Sequence, residues 1–140
     1  MAKNMTFTII KPTAIKNNNA GAILKMINDA GFVIKAMKFT RISKTQAGAF
    51  YAVHKGKPFY KELIRFMSSG PIIAAILEKE NAIEDFRELI GATNPDKAKE
   101  GTVRKIFACS VTENAVHGSD SVENVRIEAD FFFNQLEIYY

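Results

Sequence analysis

The sequence of 140 residues contains one cysteine, Cys109, and no tryptophan. A single cysteine excludes an internal disulfide and any cysteine-rich metal site. Such cysteine usage is typical of the reducing cytoplasm, where we expect the protein to act. No segment reaches the roughly 18 uninterrupted apolar residues of a membrane helix, and the N-terminal stretch lacks the apolar core of a signal peptide. We therefore expect no association with a membrane.

Several signatures of known catalytic and metal sites are also missing from the sequence. There is no Gly-x-x-x-x-Gly-Lys-Ser/Thr phosphate loop, no protein-kinase signature and no Gly-x-Ser-x-Gly nucleophile elbow. There is no His-x-x-x-His or Cys-x-x-Cys pair that would begin a zinc site. These absences argue against a P-loop enzyme, a serine hydrolase and a metal site held by protein ligands.

The composition is that of a globular protein with a modest positive charge. Apolar residues make up 47% of the chain, and eleven phenylalanines supply aromatic bulk for a core. The length favours one domain, 1–140. The net charge of +4 suits either a nucleic acid or a small anionic ligand such as a polyphosphate. Because the lysines are scattered, with no run of five or more, we expect nucleic-acid binding to be secondary at most.

The apolar pattern predicts an α+β fold. Apolar residues at helical spacing and β-branched runs predict helices over 20–30, 44–54, 59–69, 82–90 and from 122 onward, and strands over 5–10, 32–40 and 72–78. Segment 91–114 has turn residues at both ends and little periodicity, so we expect a long functional loop. With a short final strand, which the pattern does not place, these elements predict a small, largely antiparallel sheet covered by helices.

The segment "NAVHGSDS", residues 114–121, contains His117, one of only two histidines. Gly118 removes a side chain beside the ring, so that a ligand can approach closely. Glu128 lies about 80° from the centre of the apolar stripe of the following helix, at the edge of its buried face. A carboxylate there can reach one imidazole nitrogen, fix the tautomer and leave the other nitrogen free to attack.

Four roles for His117 compete: metal ligand, catalytic-triad member, nucleophile toward a phosphoryl group, and packed loop residue. A metal site lacks partner ligands, and the neighbouring Ser119 and Asp120 are too close in sequence for a triad, whose members converge from separate segments. A phosphoryl nucleophile needs cations and hydrogen-bond donors around the phosphates. The chain offers Lys11, Arg87, Arg104, Thr93 and Asn114.

Taken together, these segments resemble the nucleoside diphosphate kinases. "NAVHGSDS" is similar to the family's active-site signature, Asn-x-x-His-Gly-Ser-Asp. Five further blocks resemble other parts of the family. "TIIKPTA" resembles its first strand and lysine, "FYAVHKGKPFY" its helical hairpin, and "MSSGPIIAAILEKENAIEDFRELIGATNP" its central block. "GTVR" resembles its arginine turn, and "TEN" resembles the residues before the signature in bacterial members. The resemblance covers nearly the whole chain and implies a ferredoxin-like α+β sandwich with a four-stranded antiparallel sheet covered by helices.

The resemblance also implies a function. It implies ping-pong transfer of the γ-phosphate from a nucleoside triphosphate such as ATP to a nucleoside diphosphate, with His117 carrying the phosphate and Glu128 orienting its ring. Phe59 matches the aromatic residue that stacks on the base, and Ser119 matches the serine beside the histidine. The positions that match those holding the phosphates and the ribose are Lys11, Tyr51, Arg87, Thr93, Arg104 and Asn114. Mg²⁺ bound to the nucleotide and a homo-oligomer, tetramer or hexamer, are implied as well.

The chain departs from the family pattern at two places. Thr13 stands where the family often has aspartate, and Lys105-Ile106 stand where a small residue and an acid are usual. Both places avoid the matched site residues, so we expect effects on loop or subunit contacts. A nucleic-acid-binding protein and an inactive interaction module are the competing functions, and the intact set of polar site residues argues against the second.

Overall fold

One antiparallel sheet of four strands, in the order β2-β3-β1-β4, organises the computed structural model. The structure describes residues 4–140; residues 1–3 of the predicted domain lie outside the described residues. The strands are β1 Met5–Ile10, β2 Val33–Thr40, β3 Ile72–Glu78 and β4 Val116–Gly118. All of β1 and nearly all of β3 are buried, because helices cover both faces of the sheet. The predicted ferredoxin-like α+β fold is confirmed.

The helices begin and end close to their predicted positions. They are α1 Pro12–Lys16, α2 Ala20–Asp29, α3 Lys44–Phe50, α4 Tyr60–Met67, α5 Ala82–Ile90, α6 Val103–Phe107 and α7 Val122–Phe132, with 3-10 turns at Ala52–His54, Pro95–Lys97 and Gln135–Glu137. The periodic pattern predicts neither α1 nor α6, because five residues are too few to show a helical period. No helix of residues 4–140 has the length and apolar character needed to cross a membrane.

The prediction of one continuous loop over 91–114 was wrong. This segment contains the 3-10 turn Pro95–Lys97 and α6. The Thr102 side chain caps α6 by accepting a hydrogen bond from the Lys105 backbone N–H. The short helix fixes Arg104 within a segment that otherwise has few regular hydrogen bonds, so a predicted site residue lies on an ordered element.

The sheet separates two apolar cores. On one face, β1 residues such as Phe7 and Ile9 pack with side chains of α3, α4 and α7. On the other face, side chains of α2 and α5 pack against alternate residues of β3 and against Val116 of β4. Successive side chains of a strand point to opposite faces, so β1 and β3 contribute to both cores. β4 is therefore held against β1 by hydrogen bonds and by the second core.

The final strand lies within the histidine segment and before the last helix. β4 pairs with β1 through Ile9 opposite His117 and Thr8 opposite Gly118. A strand of three residues that includes glycine and histidine has little β propensity, so the pattern could not place it. The pairing fixes the backbone of His117 at the edge of the sheet beside β1.

Candidate active site

His117 is held by a carboxylate from the last helix. Its Nε2 lies 2.8 Å from Oε1 of Glu128, and the same oxygen accepts a hydrogen bond of 2.5 Å from the Ser119 hydroxyl. The Nδ1 atom has no hydrogen-bond partner among residues 4–140. Because a carboxylate only accepts, Nε2 carries the proton of the neutral ring and Nδ1 keeps its lone pair. The arrangement leaves one nitrogen available to an electrophile.

Three aromatic rings enclose the His117 imidazole. The ring centroids of Phe7, Phe50 and Tyr51 lie 6.1, 5.7 and 6.3 Å from that of His117, each at a steep interplanar angle. Sequence reasoning did not select Phe7 or Phe50, because an apolar residue in a strand or helix gives no signal about which side chain it faces. Edge-to-face packing restricts the tilt of the imidazole in addition to the Glu128 contact.

The backbone before His117 is bent sharply. Ala115 has φ +75°, and the Val116 N–H donates to the Asn114 carbonyl at 2.9 Å, which forms a three-residue γ-turn. A positive φ is unfavourable for alanine and is maintained only where the surroundings impose it. The Lys11 N–H holds the turn by donating to the Ala115 carbonyl at 2.9 Å. On the other side, the Thr8 hydroxyl donates to the His117 carbonyl at 2.7 Å.

Two buried cations lie beside this turn. Lys11 Nζ donates to Asn114 Oδ1 at 2.7 Å, and the two Arg104 Nη atoms donate to the Gly91 and Val116 carbonyls, both at 2.9 Å. Burial, and then the charge of Arg104, lower the pKa of Lys11 to about 7. No carboxylate of the described chain pairs with either cation. The region is therefore positively charged and partly desolvated, which favours an anionic ligand.

The remaining polar residues of the predicted site extend this region outward. Burial, and then the charge of Arg87, lower the pKa of Arg104 to about 10, which places the exposed Arg87 near Arg104. The Asn114 amide donates to the backbone carbonyl of Thr93 at 3.3 Å, while Thr93 itself is exposed. The structure therefore connects these predicted residues in one continuous group.

Two buried donor atoms of the predicted site have no hydrogen-bond partner in the described part of the chain. They are the hydroxyl of Tyr51 and the Nε of Arg104. Burial, and then the negative charge of Glu128, raise the pKa of Tyr51 above its usual range, so the hydroxyl keeps its proton. Buried polar groups are nearly always paired, so unpaired donors of this kind are available to a ligand.

Phe59 lies apart from the histidine, at the start of α4. Its side chain is 42% exposed, and its ring centroid lies 5.3 Å from that of His54. His54 in turn stacks on Tyr51 at 6.3 Å. A ligand that reaches from Phe59 to His117 would therefore pass along a row of aromatic rings.

The interpretation of Gly118 as space for a ligand was wrong. A Cβ atom at this position would lie 3.0 Å from Cδ1 of Ile90 and 3.1 Å from Cδ2 of Phe86. The missing side chain therefore allows α5 to pack closely on β4. Glycine at this position serves the second core.

The departures from the family pattern lie near the site without belonging to it. The Thr13 hydroxyl donates to Oε1 of Glu113 at 2.5 Å, which links α1 to the residue just before Asn114. Lys105 and Ile106 are exposed on α6. Within residues 4–140, no group of three or more His, Cys, Asp or Glu side chains is arranged to hold a metal ion.

An imidazole with one nitrogen held and the other without a partner in the described chain, beside buried cations that no described carboxylate neutralises, is the arrangement expected of a phosphotransferase that uses histidine as nucleophile. Comparison with known proteins gives the same class. The sequence model of the family described as nucleoside diphosphate kinase matches residues 4–138. The nucleoside diphosphate kinases of Flavobacterium psychrophilum and Chlorobaculum tepidum are each 59% identical over 133 residues, which is 95% of this chain and 96% and 95% of theirs.

Solved structures agree with the sequence comparison. The nucleoside diphosphate kinase of Aquifex aeolicus superposes with a TM-score of 0.94 at 43% identity and covers 96% of this chain and 98% of its own. That of Halobacterium salinarum, in complex with CDP, superposes with a TM-score of 0.93 at 32% identity, over 97% of this chain and 91% of its own. The chain belongs to the nucleoside diphosphate kinase family, and its function is phosphoryl transfer from a nucleoside triphosphate to a nucleoside diphosphate. Kinases of this family work with a divalent cation and bind nucleotides.

Proposed function

We propose that His117 carries the phosphate between two half-reactions. In the first, the Nδ1 lone pair attacks the γ-phosphorus of a nucleoside triphosphate. The N–P bond forms while the bond from the γ-phosphorus to the bridging oxygen breaks, and the nucleoside diphosphate leaves with that electron pair. In the second, a terminal phosphate oxygen of another nucleoside diphosphate attacks the same phosphorus, and the N–P bond breaks. The observation that carries this proposal is the 2.8 Å contact between Nε2 and Glu128.

Glu128 would act through the ring it holds. When Nδ1 bonds to phosphorus, positive charge develops on the imidazole, and a carboxylate at Nε2 stabilises that charge while keeping the Nε2 proton in place. No proton has to leave Nδ1, because the neutral tautomer does not carry one there. Ser119 would position Glu128 by donating to the same oxygen. Together these contacts keep the nucleophile ready in the unliganded protein.

The cations would bind and stabilise the phosphates. Lys11 and Arg104 lie buried beside the turn before His117, and Arg87 is near Arg104. Because the pKa of unliganded Lys11 is about 7, a bound polyphosphate would favour its protonated form. The two unpaired donors, on Tyr51 and Arg104, would find acceptors in phosphate or ribose oxygens. Asn114 and Thr93 would add neutral hydrogen bonds at the same end of the nucleotide.

Phe59 would bind the base by stacking. Its half-exposed ring offers a flat apolar face, and every nucleobase has a π surface that can pack on such a face. Stacking alone does not distinguish one base edge from another. This contact would allow nucleotides with different bases to bind.

We propose that the divalent cation is Mg²⁺ and that it enters as part of the nucleotide substrate. Glu128, the carboxylate that contacts the His117 ring, already accepts two hydrogen bonds, and Glu113 accepts one from Thr13. Mg²⁺ commonly binds through substrate phosphates and few protein ligands, which fits this set of engaged carboxylates. The ion would neutralise phosphate charge and orient the transferring group.

We also propose that residues 1–140 act as one domain and assemble into a homo-oligomer, tetramer or hexamer, in the cytoplasm. Several large apolar side chains are exposed, such as Phe39 at 67% and Leu136 at 89%, and their burial between chains would favour assembly. The exposed free thiol of Cys109 supports a reducing compartment.

Labelling with radioactive phosphate tests the proposal. The protein is mixed with Mg²⁺ and γ-labelled ATP, and we expect label that survives base and not acid, and that moves to GTP when GDP is added. His117→Ala should take up no label while its circular dichroism stays unchanged. His54→Ala, which removes the other histidine, is the matched control and should still be labelled. Labelling of His117→Ala at the normal rate would refute the role of this residue.

A further inference from the structure

The positive charge of the chain is concentrated in residues 41–65, the segment that contains α3, the 3-10 turn and α4. We call this segment the basic hairpin. Six cations and one carboxylate, Glu62, give it a net charge of +5, more than the +4 of the entire chain, so the remaining residues carry −1. Its cations are Arg41, Lys44, Lys55, Lys57, Lys61 and Arg65. The net positive charge of the chain therefore falls in one segment, although no run of five lysines marks it.

The cations of the basic hairpin are exposed and uncompensated. Elsewhere, Lys25, Lys35, Lys38 and Lys79 each lie within salt-bridge distance of a carboxylate. Within residues 4–140, no lysine or arginine of the hairpin has such a partner. A cation without a nearby carboxylate contributes its full charge to the field outside the protein. The hairpin therefore carries six exposed cations whose charge no described carboxylate within salt-bridge distance neutralises.

The basic hairpin adjoins the entrance of the site. Lys44, Lys61 and Arg65 line one groove of about 550 Å³ with a single carboxylate, Glu62. Pro58 and Tyr60, the two neighbours of Phe59 in the chain, also line it. The hairpin also carries Tyr51, whose ring lies 6.3 Å from that of His117. These three cations are separate from the residues that would hold the phosphates. Lys57, another cation of the hairpin, lies over the proposed base-stacking residue, with its Nζ 5.8 Å from the Phe59 ring centroid.

We propose that the basic hairpin is a collecting surface that draws nucleoside polyphosphates to the site and takes no part in the chemistry. This inference rests on the proposed function. A charged patch beside a cleft raises the local concentration and the association rate of an oppositely charged ligand by roughly 10- to 1,000-fold. The effect acts across solvent, so it weakens as salt shortens the Debye length from about 30 Å at 0.01 M to about 3 Å at 1 M.

Charge reversal tests the collecting surface. Lys61→Glu/Arg65→Glu lowers the net charge by four at two exposed positions of the hairpin. Lys16→Glu/Arg126→Glu lowers it equally at two exposed positions outside the hairpin that likewise have no carboxylate partner within residues 4–140, and is the matched control. Quenched-flow labelling gives the second-order rate constant of His117 phosphorylation at low ATP and the maximal rate at saturating ATP. Both are measured from low to high ionic strength.

We expect the hairpin variant to lose about 10-fold in the second-order constant at low salt, with an unchanged maximal rate. The loss should disappear at high salt, and the control variant should lose much less. Equal losses in the two variants would overturn the inference, because net charge alone would then explain them. A loss that salt does not remove, or a lower maximal rate, would also overturn it in favour of direct contact or structural damage.

Two further outcomes distinguish this inference from nucleic-acid binding and from the proposed function. An unchanged rate constant together with lost binding of a single-stranded oligonucleotide would reassign the hairpin to nucleic acid. Full labelling of both variants at saturating ATP would leave the proposed function intact whatever happens to the capture rate. Absence of label in the unmodified protein would instead contradict the proposed function itself.

Discussion

Replacing Lys11 with methionine should stabilise the fold at neutral pH while removing phosphoenzyme formation. The Lys11 side chain is 6% exposed, and burial is the main cause that lowers its pKa from 10.5 to about 7. A protonated lysine is therefore less favourable in the folded chain than in the unfolded one. Methionine keeps the unbranched apolar stem and removes the buried charge. The variant would then show that the contribution of Lys11 to phosphoenzyme formation is distinct from its effect on stability.

The magnitude follows from the two pKa values. At pH 7 the difference between 10.5 and about 7 corresponds to roughly 4 kcal/mol of unfavourable free energy. The substitution also leaves Oδ1 of Asn114 without its donor, which costs roughly 1–3 kcal/mol. The variant should therefore be more stable by roughly 1–3 kcal/mol near pH 7.

The change of stability with pH is an independent test of the predicted stabilisation by Lys11→Met. Below the folded pKa of about 7 both states are protonated and the penalty is complete. Between about 7 and 10.5 the folded chain holds Lys11 neutral while the unfolded chain stays protonated, so unfolding takes up a proton and the stability of the unmodified protein rises with pH. The advantage of the methionine variant should therefore shrink by up to about 1.4 kcal/mol per pH unit over this range.

Urea unfolding followed by circular dichroism measures both the stability near pH 7 and its change with pH. Circular dichroism is used because the chain has no tryptophan to report unfolding by fluorescence. Protein concentration is held constant, because assembly would otherwise change the apparent stability. Lys16→Met, at an exposed lysine of the neighbouring helix, is the control and should change little. A methionine variant that is less stable near pH 7, or an advantage that does not change with pH, would refute the reasoning from a buried charge.

Three further predictions concern the support of the site. Glu128→Gln should slow phosphoenzyme formation at least roughly 10-fold in quenched flow with unchanged unfolding curves, because the negative charge facing the ring is lost; a normal rate would contradict its role. Thr13→Val should raise the nucleotide KM roughly 3-fold with little change in kcat, because the hydrogen bond to Glu113 is lost. Thr13→Ser should restore the normal KM. If the serine variant keeps the raised KM, the effect comes from packing and not from the hydrogen bond. Gly91→Ala should lower the free energy of unfolding in urea by roughly 3 kcal/mol, since its Cβ would overlap the buried Thr102 side chain. Gly56→Ala, with the same φ and open space around the new Cβ, should lower it by only roughly 1 kcal/mol. Equal losses would show that backbone strain alone determines the effect.

The parts of the fold that the sequence predicts are those with long, regular patterns. The apolar run of β3 and the helical spacing of α5 each extend over at least seven residues, and both are found where they are predicted. β4 has three residues and α6 has five; the position of β4 and the existence of α6 were not predicted. Their positions depend on tertiary contacts, namely pairing with β1 and the Thr102 cap, which no local pattern contains.

The candidate site divides in the same way. The resemblance selects the residues with chemical functions, and the structure brings most of these together around His117. It does not select Phe7 and Phe50, whose rings pack on that histidine from 110 and 67 positions away in the chain. An apolar residue that encloses a nucleophile has the same sequence signal as one that fills a core. Only the packing of β1 and α3 against β4 distinguishes the two.

Ala115 shows why the spacing within the histidine segment is physically constrained. Asn114 has to face Lys11, and His117 has to pair with Ile9, although only two residues separate Asn114 from His117. The γ-turn at Ala115 reverses the chain within that distance, with a positive φ that no rule assigns to alanine. Lys11 supplies both restraints, because its backbone N–H holds the Ala115 carbonyl and its ammonium holds Asn114. A change that moves Lys11 would therefore disturb the proposed phosphate-binding cation and the backbone of the proposed nucleophile together.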